Sequence, residues 1–447
     1  MSSIAPTRVM IVGSGGREHA LAWKLASEPG GNEVVVAPGS DAIAAEPRVR
    51  CAPGVDPLDP AAVVAAARRE AVELVVIGPE AVLAAGVSDA LLGAGIPVFG
   101  PSRAAARIET SKAFCHEVAA AAGAPMARAA WFEGSGGAAR ARGFAAELAA
   151  GGQGVVVKAD GLAGGKGVTV CDGLTEAEAS ILRLFEADPA GTVVIEERLS
   201  GPEASLIAIC DGRDAVALPV SRDHKRLGDG DTGPNTGGMG AYSPLPDLPG
   251  ERIASLLDRF HRPILAELAR RGTPFRGALY AGLILTADGP MLLECNARFG
   301  DPETQAILPR LAGALGPALL AAAHGDLPGS LPASVLADGR LPELPGAAVA
   351  IVLAAAGYPG QPRAGDRIEG LDEAAATGAL VFHAGTSVDP DGTVRTAGGR
   401  ILSVVGRGAD LPAANAVATA AADRIHAPGL HHRRDVGSSM LATVAGR

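Results

Sequence analysis

The sequence predicts a multidomain protein of mixed α/β and α+β class. Its 447 residues exceed what a single hydrophobic core usually organises. Short apolar strands alternate with helical patterns over residues 7–99, which is typical of a parallel sheet covered by helices. Hydrophobic residues make up 48% of the chain and charged residues 20%, as in soluble globular proteins.

Composition excludes several classes of partner. The net charge of −10 and the aromatic content of 3% argue against binding to nucleic acid, which needs basic surfaces and often stacking rings. The five cysteines form no C-x-x-C pair and are expected to be reduced thiols. The N-terminus has no signal-peptide pattern, and no apolar stretch is long enough to span a membrane. We therefore expect a cytoplasmic protein without membrane or nucleic-acid partners.

The first predicted domain, residues 1–102, begins with a strand, a glycine-rich turn and a helix. The strand at 7–12 leads into Gly13–Glu18, and the helical pattern starts at His19. A glycine turn before a helix N-terminus is a common anion site. Glu18 stands where the dinucleotide fingerprint requires glycine. Three alternatives remain for this turn: a dinucleotide, the phosphate of a smaller molecule paired with Arg17, or a tight turn without ligand.

The rest of this domain repeats the alternation of strand and helix. Ligands of such sheets bind beyond the carboxyl ends of the strands. Gly13–Arg17, Pro38-Gly39 and Gly78–Glu80 all lie at such ends, which favours a binding site over simple turns. The predicted strands are 34–37, 74–77 and 97–99, and the predicted helices are 60–69 and 81–92.

The second predicted domain spans residues 103–326, with a lid subdomain at about 124–192. Residues 103–122 have a helical pattern, with Lys112 near the start of a second helix. Thr175 and Glu178 fit a capping box. The lid is predicted to combine a hairpin at 155–170 with helices at 138–149 and 175–186.

The hairpin carries a glycine-rich loop with two lysines, in V-V-V-K-A-D-G-L-A-G-G-K-G-V at 155–168. It does not fit Walker A, because Gly161 and Gly165 are one residue too close and Gly167 replaces the hydroxyl residue. Glycines allow backbone N–H groups to face an anion, and Lys158 and Lys166 add positive charge. The hairpin is therefore predicted to lie over phosphates, with a solvated turn as the alternative.

Acidic and polar segments follow the lid. A strand at 192–197 ends in Glu196-Glu197, and Glu203 follows, either as part of a ligand site or as a charged turn. The run at 221–242 is long, polar and glycine-rich, and we expect a functional loop there because long loops in compact domains are usually functional or disordered. Its candidate residues are Asp223, Lys225 and Arg226, and His224 is interpreted as a bystander.

A helix at 251–271 and strands at 278–285 and 290–295 lead to a charged turn. Glu294 and Asn296 are two residues apart on a strand end, so their side chains point to the same side. A carboxylate and an amide oxygen suit Mg²⁺. Three charged residues follow on the next turn, which favours a site over a surface turn: Arg298, Asp301 and Glu303.

The third predicted domain, residues 327–447, begins with a proline-rich linker and forms a small α+β unit. For the basic tail at 431–437 three alternatives remain: it faces the site, it is solvated, or it packs against the protein. The predicted elements are strands at 347–353, 379–384 and 400–406 and a helix at 411–424.

Six motifs together resemble one family. They are G-S-G-G-R-E-H-A-L-A-W (13–23), I-G-P-E (77–80), K-A-D-G-L-A-G-G-K-G-V (158–168), D-H-K-R-L-G-D-G-D-T-G-P-N-T-G-G-M-G-A-Y-S-P (223–244), E-C-N-A-R-F-G-D-P-E-T-Q (294–305) and F-H-A-G-T (382–386). The chain resembles the phosphoribosylamine–glycine ligases, also called glycinamide ribonucleotide synthetases, of the ATP-grasp superfamily. The resemblance implies an N-terminal pre-ATP-grasp domain, an ATP-grasp fold with a small lid, and a small C-terminal α+β domain.

The resemblance also implies the reaction of de novo purine synthesis that joins glycine to 5-phosphoribosylamine. ATP is consumed through a glycyl phosphate, and ADP, phosphate and glycinamide ribonucleotide are formed. The ATP-binding residues would be Lys112, Lys158, Gly164, Gly165, Lys166, Glu196, Glu197, Leu199 and Glu203. The residues for glycine and phosphoribosylamine would be Gly15, Gly16, Arg17, Glu18, Glu80, Asp223, Lys225, Arg298, Asp301 and Glu303. Among these, the expected catalytic residues are Lys158, Lys166, Asp223, Arg298 and Asp301, and Mg²⁺ or Mn²⁺ would bind Glu294 and Asn296.

One departure from the superfamily pattern concerns the metal. Many ATP-grasp enzymes have a metal-binding acid on the preceding strand, but residues 279–285 contain none. Three alternatives to the predicted activity are another ATP-grasp ligase, an NAD-dependent oxidoreductase and a non-catalytic nucleotide sensor. A monomer is expected, with a dimer as the alternative.

Overall fold

A computed structural model of the protein describes residues 6–152, 154–162 and 167–438. The described residues contain an N-terminal parallel sheet, two four-stranded antiparallel sheets and two small hairpins. A further five-stranded sheet combines strands from the middle and the C-terminal part of the chain. The predicted fold class is therefore confirmed, and the bounds of the three predicted domains stay predictions. None of the helices in the described ranges has the length and apolar character needed to cross a membrane.

The N-terminal sheet has the strand order β3-β2-β1-β4-β5, and all its pairs are parallel. Val9 to Val12 are fully buried, because helices cover both faces of the sheet. The predicted helix at 81–92 is wrong as a single element, since Gly86 adopts φ +84° and separates two helices. The elements are β1 (Arg8–Gly13), α1 (Gly16–Ala26), β2 (Glu33–Pro38), α2 (Asp41–Ala44), β3 (Val49–Cys51), α3 (Pro60–Arg69), β4 (Leu74–Ile77), α4 (Glu80–Ala84), α5 (Val87–Gly93) and β5 (Val98–Phe99).

Two helices then lead into the predicted lid, whose sheet has the order β6-β9-β7-β8. Its apolar side chains form a hydrophobic core of their own. The capping box is wrong: Gly173 is the N-cap of α9, and no side chain caps that end. The elements are α6 (Arg107–Thr110), α7 (Lys112–Ala122), β6 (Ala129–Phe132), α8 (Gly137–Ala150), β7 (Val155–Ala159), β8 (Val168–Cys171), α9 (Leu174–Ala187) and β9 (Val193–Glu197).

The next strands belong to two different sheets. Strands β11, β10, β16 and β17 form one antiparallel sheet in that order. The run predicted as a loop at 221–242 contains short strands, and two of them, β12 and β15, join the C-terminal sheet. The strands are β10 (Glu203–Asp211), β11 (Ala215–Ala217), β12 (Arg222–Asp223), β13 (Arg226–Gly228), β14 (Thr232–Asn235), β15 (Gly240–Ser243), β16 (Arg276–Thr286) and β17 (Gly289–Asn296).

The predicted helix at 251–271 is continuous but not uniformly α-helical. A π-helical turn, Leu257–His261, separates its two α-helical parts. The predicted proline-rich linker is partly helical, because α14 and α15 lie within it. The helices are α10 (Ile253–Leu256), α11 (Arg262–Arg270), α12 (Glu303–Ile307), α13 (Gly316–His324), α14 (Leu327–Ser330) and α15 (Ala333–Asp338).

The C-terminal sheet has the order β12-β15-β18-β22-β19 and combines strands from distant parts of the chain. Strand β15 pairs with β18 from Gly240–Ile351 to Ser243–Ala348. The helix α17 packs on β18 and β22. The elements are β18 (Ala347–Ala354), α16 (Leu371–Ala375), β19 (Leu380–His383), β20 (Thr386–Val388), β21 (Val394–Thr396), β22 (Arg400–Gly408) and α17 (Leu411–Ala422).

The basic tail packs against the hairpin of β13 and β14. Arg433 is fully buried and makes ion pairs of 2.7 Å with Asp231 and 2.6 Å with Asp435. Asp435 in turn accepts a hydrogen bond from the Gly230 N–H. The packing alternative for this tail is confirmed. Arg433 and Asp435 of the tail contact Asp231 and Gly230 of the hairpin.

Candidate active site

The glycine turn after β1 is organised by Glu18. Its carboxylate accepts hydrogen bonds from the Gly15 N–H (2.6 Å) and from Arg17 Nε (2.5 Å). Gly13 has φ +133°, and a Cβ there would lie 2.7 Å from Glu18 Cγ, so the turn requires glycine. The Glu18 side chain thus satisfies donors at the start of α1. Its direct contact with a ligand, like that of Gly16, stays a prediction.

Arg298 lies between two carboxylates at the junction of the N-terminal sheet and β17. Its Nε is 3.2 Å from Glu80, and its Nη2 is 2.9 Å from Glu109. Both Arg298 and Arg17 donate to the Phe299 carbonyl at 3.1 Å, which brings the two guanidinium groups together. Burial raises the pKa of Glu80, but the charges of Arg298 and Arg17 outweigh it, so the pKa lies below its usual value.

Asp301 is held by the C-terminal sheet. Arg400 Nη2 lies 3.1 Å from its carboxylate, and Arg400 Nη1 donates to the carbonyls of Asp301 and Gly237 at 2.8 and 2.7 Å. Gln305 donates to the other carboxylate oxygen at 2.8 Å. Burial alone would raise the pKa of Asp301, but Arg400 and Arg17 lower it below its usual value. The carboxylate is therefore ionised and fixed in direction.

Two lysines face each other from the start of α7 and from the lid. Lys158 makes a 2.6 Å ion pair with Glu196, which also lies 2.9 Å from His116 Nε2. Lys112 donates to the Gly161 carbonyl at 2.9 Å. Burial and the charge of Lys158 lower the pKa of Lys112. An anionic ligand would relieve this repulsion, which is the property expected of a phosphate site.

Asp160 ties the lid hairpin to α7. Its carboxylate accepts hydrogen bonds from the Lys112 N–H (2.5 Å) and from Ser111 Oγ (2.9 Å). Ser111 also caps α7 by accepting from the Phe114 N–H. The base of the hairpin is thus anchored where the helix has unsatisfied donors. The predicted residues Gly164, Gly165 and Lys166 at its tip lie outside the described residues.

The remaining predicted ATP residues follow β9. Glu197 is half-buried, and its N–H donates to the Arg128 carbonyl at 2.9 Å. Leu199 is also half-buried. Glu203, at the start of β10, makes a 2.6 Å ion pair with Lys225. The carboxylate of Glu196 is engaged by Lys158 and His116, and its contact with ATP stays a prediction.

Lys225 lies among three carboxylates, those of Glu203, Asp223 and Glu294. Besides Glu203, its Nζ is 4.0 Å from Glu294 Oε1. Burial raises the pKa of Asp223 to about 8. Lys225 acts in the opposite direction, whereas the charges of Glu303, Glu203 and Glu294 raise the pKa further. Glu303 is buried and accepts a 3.3 Å hydrogen bond from Ser205, which is 2.8 Å from the Tyr280 hydroxyl. The negative charge of this cluster suits a cationic ligand such as an ammonium group.

Glu294 and Asn296 have the chemistry that a magnesium or manganese site needs. They are two residues apart on β17, opposite Gly282 and Tyr280 of β16, so their side chains share one face. The Glu294 side chain is half-buried. Burial acts to raise its pKa, but Lys225, Lys158 and other nearby cations outweigh it and lower the pKa below its usual value. Among the described residues, no group of three or more His, Cys, Asp or Glu side chains is arranged to hold a metal ion. Two protein oxygens completed by phosphate oxygens fit the usual protein site of Mg²⁺.

The structure adds residues that the sequence did not single out. Glu109, Arg400, Asp160 and His116 each contact a predicted site residue. Their partners are far away along the chain; the Glu109–Ala297 hydrogen bond, for example, joins residues 188 positions apart. Only the strand-end position of Asp160, directly after Lys158-Ala159, gave a local signal.

Three family models match consecutive parts of the chain. Their descriptions are the phosphoribosylglycinamide synthetase N domain (residues 7–109), ATP-grasp (A) domain (residues 110–304) and C domain (residues 348–439). A phosphoribosylamine–glycine ligase from Phenylobacterium zucineum is 46% identical over 432 residues, which cover 96% of this chain and 98% of the relative.

Two solved structures extend the comparison. The crystal structure of a phosphoribosylamine–glycine ligase from Thermotoga maritima has a TM-score of 0.76 and 33% identity, and the match covers 96% of this chain and all of the other. The biotin carboxylase domain of a 2-oxoglutarate carboxylase from Hydrogenobacter thermophilus, solved with magnesium ADP, has a TM-score of 0.67. Its identity is 17%, with 96% and 92% of the two chains covered, so this likeness concerns the fold alone.

The fold and the convergent lysines and carboxylates define an ATP-grasp ligase, a class of enzymes that uses ATP with divalent metal ions. The NAD-dependent oxidoreductase is thereby excluded as the class of this protein. Within this class, the chain belongs to the phosphoribosylglycinamide synthetase family.

Proposed function

We propose that the protein joins glycine to 5-phosphoribosylamine and converts ATP to ADP and phosphate in the same reaction. The observation that supports this proposal most directly is the position of Arg298. It lies between Glu80 of the N-terminal sheet and the end of the strand that carries Glu294. A phosphoribosyl group bound near Arg17 and Arg298 would place its amine next to an acyl phosphate formed near Glu294.

The chemistry requires activation of a carboxylate, which is a poor electrophile. In the proposal, the glycine carboxylate attacks the γ-phosphorus of ATP and ADP leaves, and the amine then displaces phosphate from the glycyl phosphate. No protein nucleophile is needed, so the protein positions the reactants and neutralises charge. Lys112 and Lys158 supply positive charge at the phosphates, and Lys166 would add to it from the hairpin.

Glu294 and Asn296 would hold the divalent ion, which we propose to be Mg²⁺ or Mn²⁺. When bound, this ion would neutralise negative charge on the phosphates. Asp223, Lys225, Asp301 and Glu303 are proposed to orient glycine and the attacking amine. Glu197, Leu199 and Glu203 are proposed to contact the nucleoside. A cytoplasmic monomer, with a dimer as the alternative, completes the proposal.

Release of ADP with the two substrates added singly and together tests the proposed function. We expect ADP release that depends on both glycine and phosphoribosylamine, because the amine must displace the phosphate for turnover to continue. Release without either substrate, or only with a different acid, would refute the proposal. The latter result would favour another ATP-grasp ligase, and tight ATP binding without turnover would favour a nucleotide sensor.

A further inference from the structure

The carboxylate of Glu109 contacts the site from a helix that carries none of the predicted site residues. Glu109 lies on the one-turn helix α6, between the N-terminal sheet and α7. Its side chain is only 6% exposed. Burial of a carboxylate costs free energy unless its oxygens are paired. The partners of the two Glu109 oxygens therefore indicate what this side chain does.

Both oxygens of Glu109 are used by two consecutive residues of the E-C-N-A-R motif. Oε1 is 2.9 Å from Arg298 Nη2, and Oε2 accepts a 2.7 Å hydrogen bond from the Ala297 N–H. The peptide that donates this second bond directly follows Asn296, a proposed metal ligand. One side chain therefore fixes the guanidinium group and the end of β17 at the same time.

The second carboxylate on Arg298 does not replace Glu109. Glu80 lies 3.2 Å from Nε, whereas Glu109 lies 2.9 Å from Nη2, so the two carboxylates contact different nitrogens of the guanidinium group. Two buried ion pairs on different nitrogens restrict the directions that the guanidinium group can take. Without Glu109, Arg298 keeps its charge but has one fewer constraint on its direction.

We propose that Glu109 is a positioning residue. It orients the guanidinium group of Arg298 toward the phosphoribosyl substrate and holds that group to the end of β17, the strand that carries the proposed metal ligands. The inference rests on the proposed substrate role of Arg298. Glu109 itself touches neither substrate nor metal. Its effect is transmitted through Arg298, and this distinguishes it from a residue that only stabilises the fold.

A double-mutant cycle with ribose 5-phosphate as the probe tests the inference. Ribose 5-phosphate carries the phosphoribosyl part without the amine, and calorimetry gives its affinity without turnover. In the otherwise unchanged protein, Glu109→Gln should weaken binding about 10-fold or more, because the buried ion pair with Arg298 is lost. In an Arg298→Ala background the same change should have an effect of less than about 2-fold.

Equal losses in both backgrounds would overturn the inference, since Glu109 would then not act through Arg298. Unchanged binding in Glu109→Gln would also overturn it. If Arg298→Ala itself leaves binding and turnover unchanged, the proposed role of Arg298 fails instead, so the two failures are distinguishable. Glu33→Gln removes an exposed carboxylate that is 2.9 Å from Arg8 and serves as the matched control, with no expected effect.

The conservative variant Glu109→Asp gives a second measurement if Glu109→Gln folds poorly. It keeps the negative charge but shortens the side chain, so it can hold only one of the two partners at the observed distance. Binding of ribose 5-phosphate intermediate between that of the unchanged protein and Glu109→Gln, with an unaltered thermal transition, supports positioning. A lowered thermal transition with unchanged affinity would contradict it.

Discussion

Ion pairs between site residues dominate the candidate site at the scale of single residues. Lys158 is 2.6 Å from Glu196, and Lys225 is 2.6 Å from Glu203. These pairs keep the charges of the lysines compensated within the protein. A phosphate that binds near Lys158, as proposed, must compete with Glu196 for the lysine, and the energy of that exchange contributes to the discrimination between ligands.

We expect Glu294→Ala to reduce turnover by at least about 100-fold, because the divalent ion loses its only charged protein ligand in the proposed pair. The carboxylate is partly exposed, so the free energy of unfolding should change by less than about 1 kcal/mol. Initial rates over a range of Mg²⁺ or Mn²⁺ concentrations and a urea titration check both expectations. Glu178→Ala removes a carboxylate 3.0 Å from Arg142 on the lid and serves as a control. Metal-dependent activity that survives in Glu294→Ala would contradict the metal assignment.

At this scale, the sequence predicted residues whose chemistry is encoded locally. Glu294 and Asn296 were predicted because their spacing on a strand end is visible in a few residues. Glu109 and Arg400 were not, because ionic partners that are far apart in sequence leave no local pattern. A buried carboxylate on a short helix has the same local sequence signal as an exposed one.

At the scale of elements, the helix at 253–270 shows how packing overrides a simple pattern. His261 closes its π-helical turn and is fully buried. Its Nε2 lies 3.1 Å from the Leu279 carbonyl, and its Nδ1 has no hydrogen-bond partner in the described protein. Burial lowers the pKa of His261 to about 4, so the imidazole is neutral in the folded protein.

This buried imidazole predicts a loss of stability in mild acid. The unfolded chain binds a proton below pH about 6.5, whereas the folded protein does so only near pH 4. The free energy of unfolding should therefore fall as pH decreases through this window, by at most about 3 kcal/mol from this group. His261→Gln can keep the hydrogen bond to Leu279 and should remove this part of the slope. Urea titrations from pH 4 to pH 8 check it, with pH 8 as the reference, and identical slopes in both proteins would contradict the prediction.

The tail and the β13–β14 hairpin give a second prediction for elements. We expect Arg433→Ala to lower the free energy of unfolding by about 2 kcal/mol, because the packing of a fully buried side chain and its ion pairs with Asp231 and Asp435 are lost together. Arg434 is a matched control: its 2.6 Å pair with Asp423 is on the surface, and Arg434→Ala should cost less than about 1 kcal/mol. Chemical denaturation of both variants measures the difference. Equal effects would show that burial of Arg433 does not determine its contribution.

Hydrophobic periodicity predicted most helices and strands, since the pattern of a buried face is local. The exceptions have specific physical causes. Gly86 interrupts a helical pattern by adopting a left-handed conformation. The short strands at 222–243 contain too few apolar residues for a periodic signal, and they form because partner strands are supplied from elsewhere.

At the scale of the whole molecule, the C-terminal sheet is shared between distant segments. Strands β12 and β15 carry or flank proposed substrate residues, and β18, β22 and β19 supply the rest of the sheet. Arg400 at the start of β22 also holds Asp301. In the proposed arrangement, the C-terminal region therefore holds a substrate residue, Asp301, in place and does more than stabilise the fold.

We expect a chain that ends at residue 326 to lose protection at β15, because its pairing partner β18 is removed. Hydrogen exchange followed by mass spectrometry on peptides covering 240–243 measures this loss against the full chain. Peptides from β1, whose partners are all retained, serve as the internal control. Equal protection of β15 in both chains would contradict the prediction.

The shared sheet also has a consequence for the order in which the protein is made. The last residue of β15 and the first of β18 are separated by about 100 residues, which take about 5 to 20 s to synthesise. During that time Gly240–Ser243 has no strand beside it on the side of β18. The proposed nucleotide residues can assemble on the ribosome before the glycine-rich segment has its final neighbours. The nascent chain can thus form the proposed nucleotide site before it forms the proposed site for glycine and phosphoribosylamine.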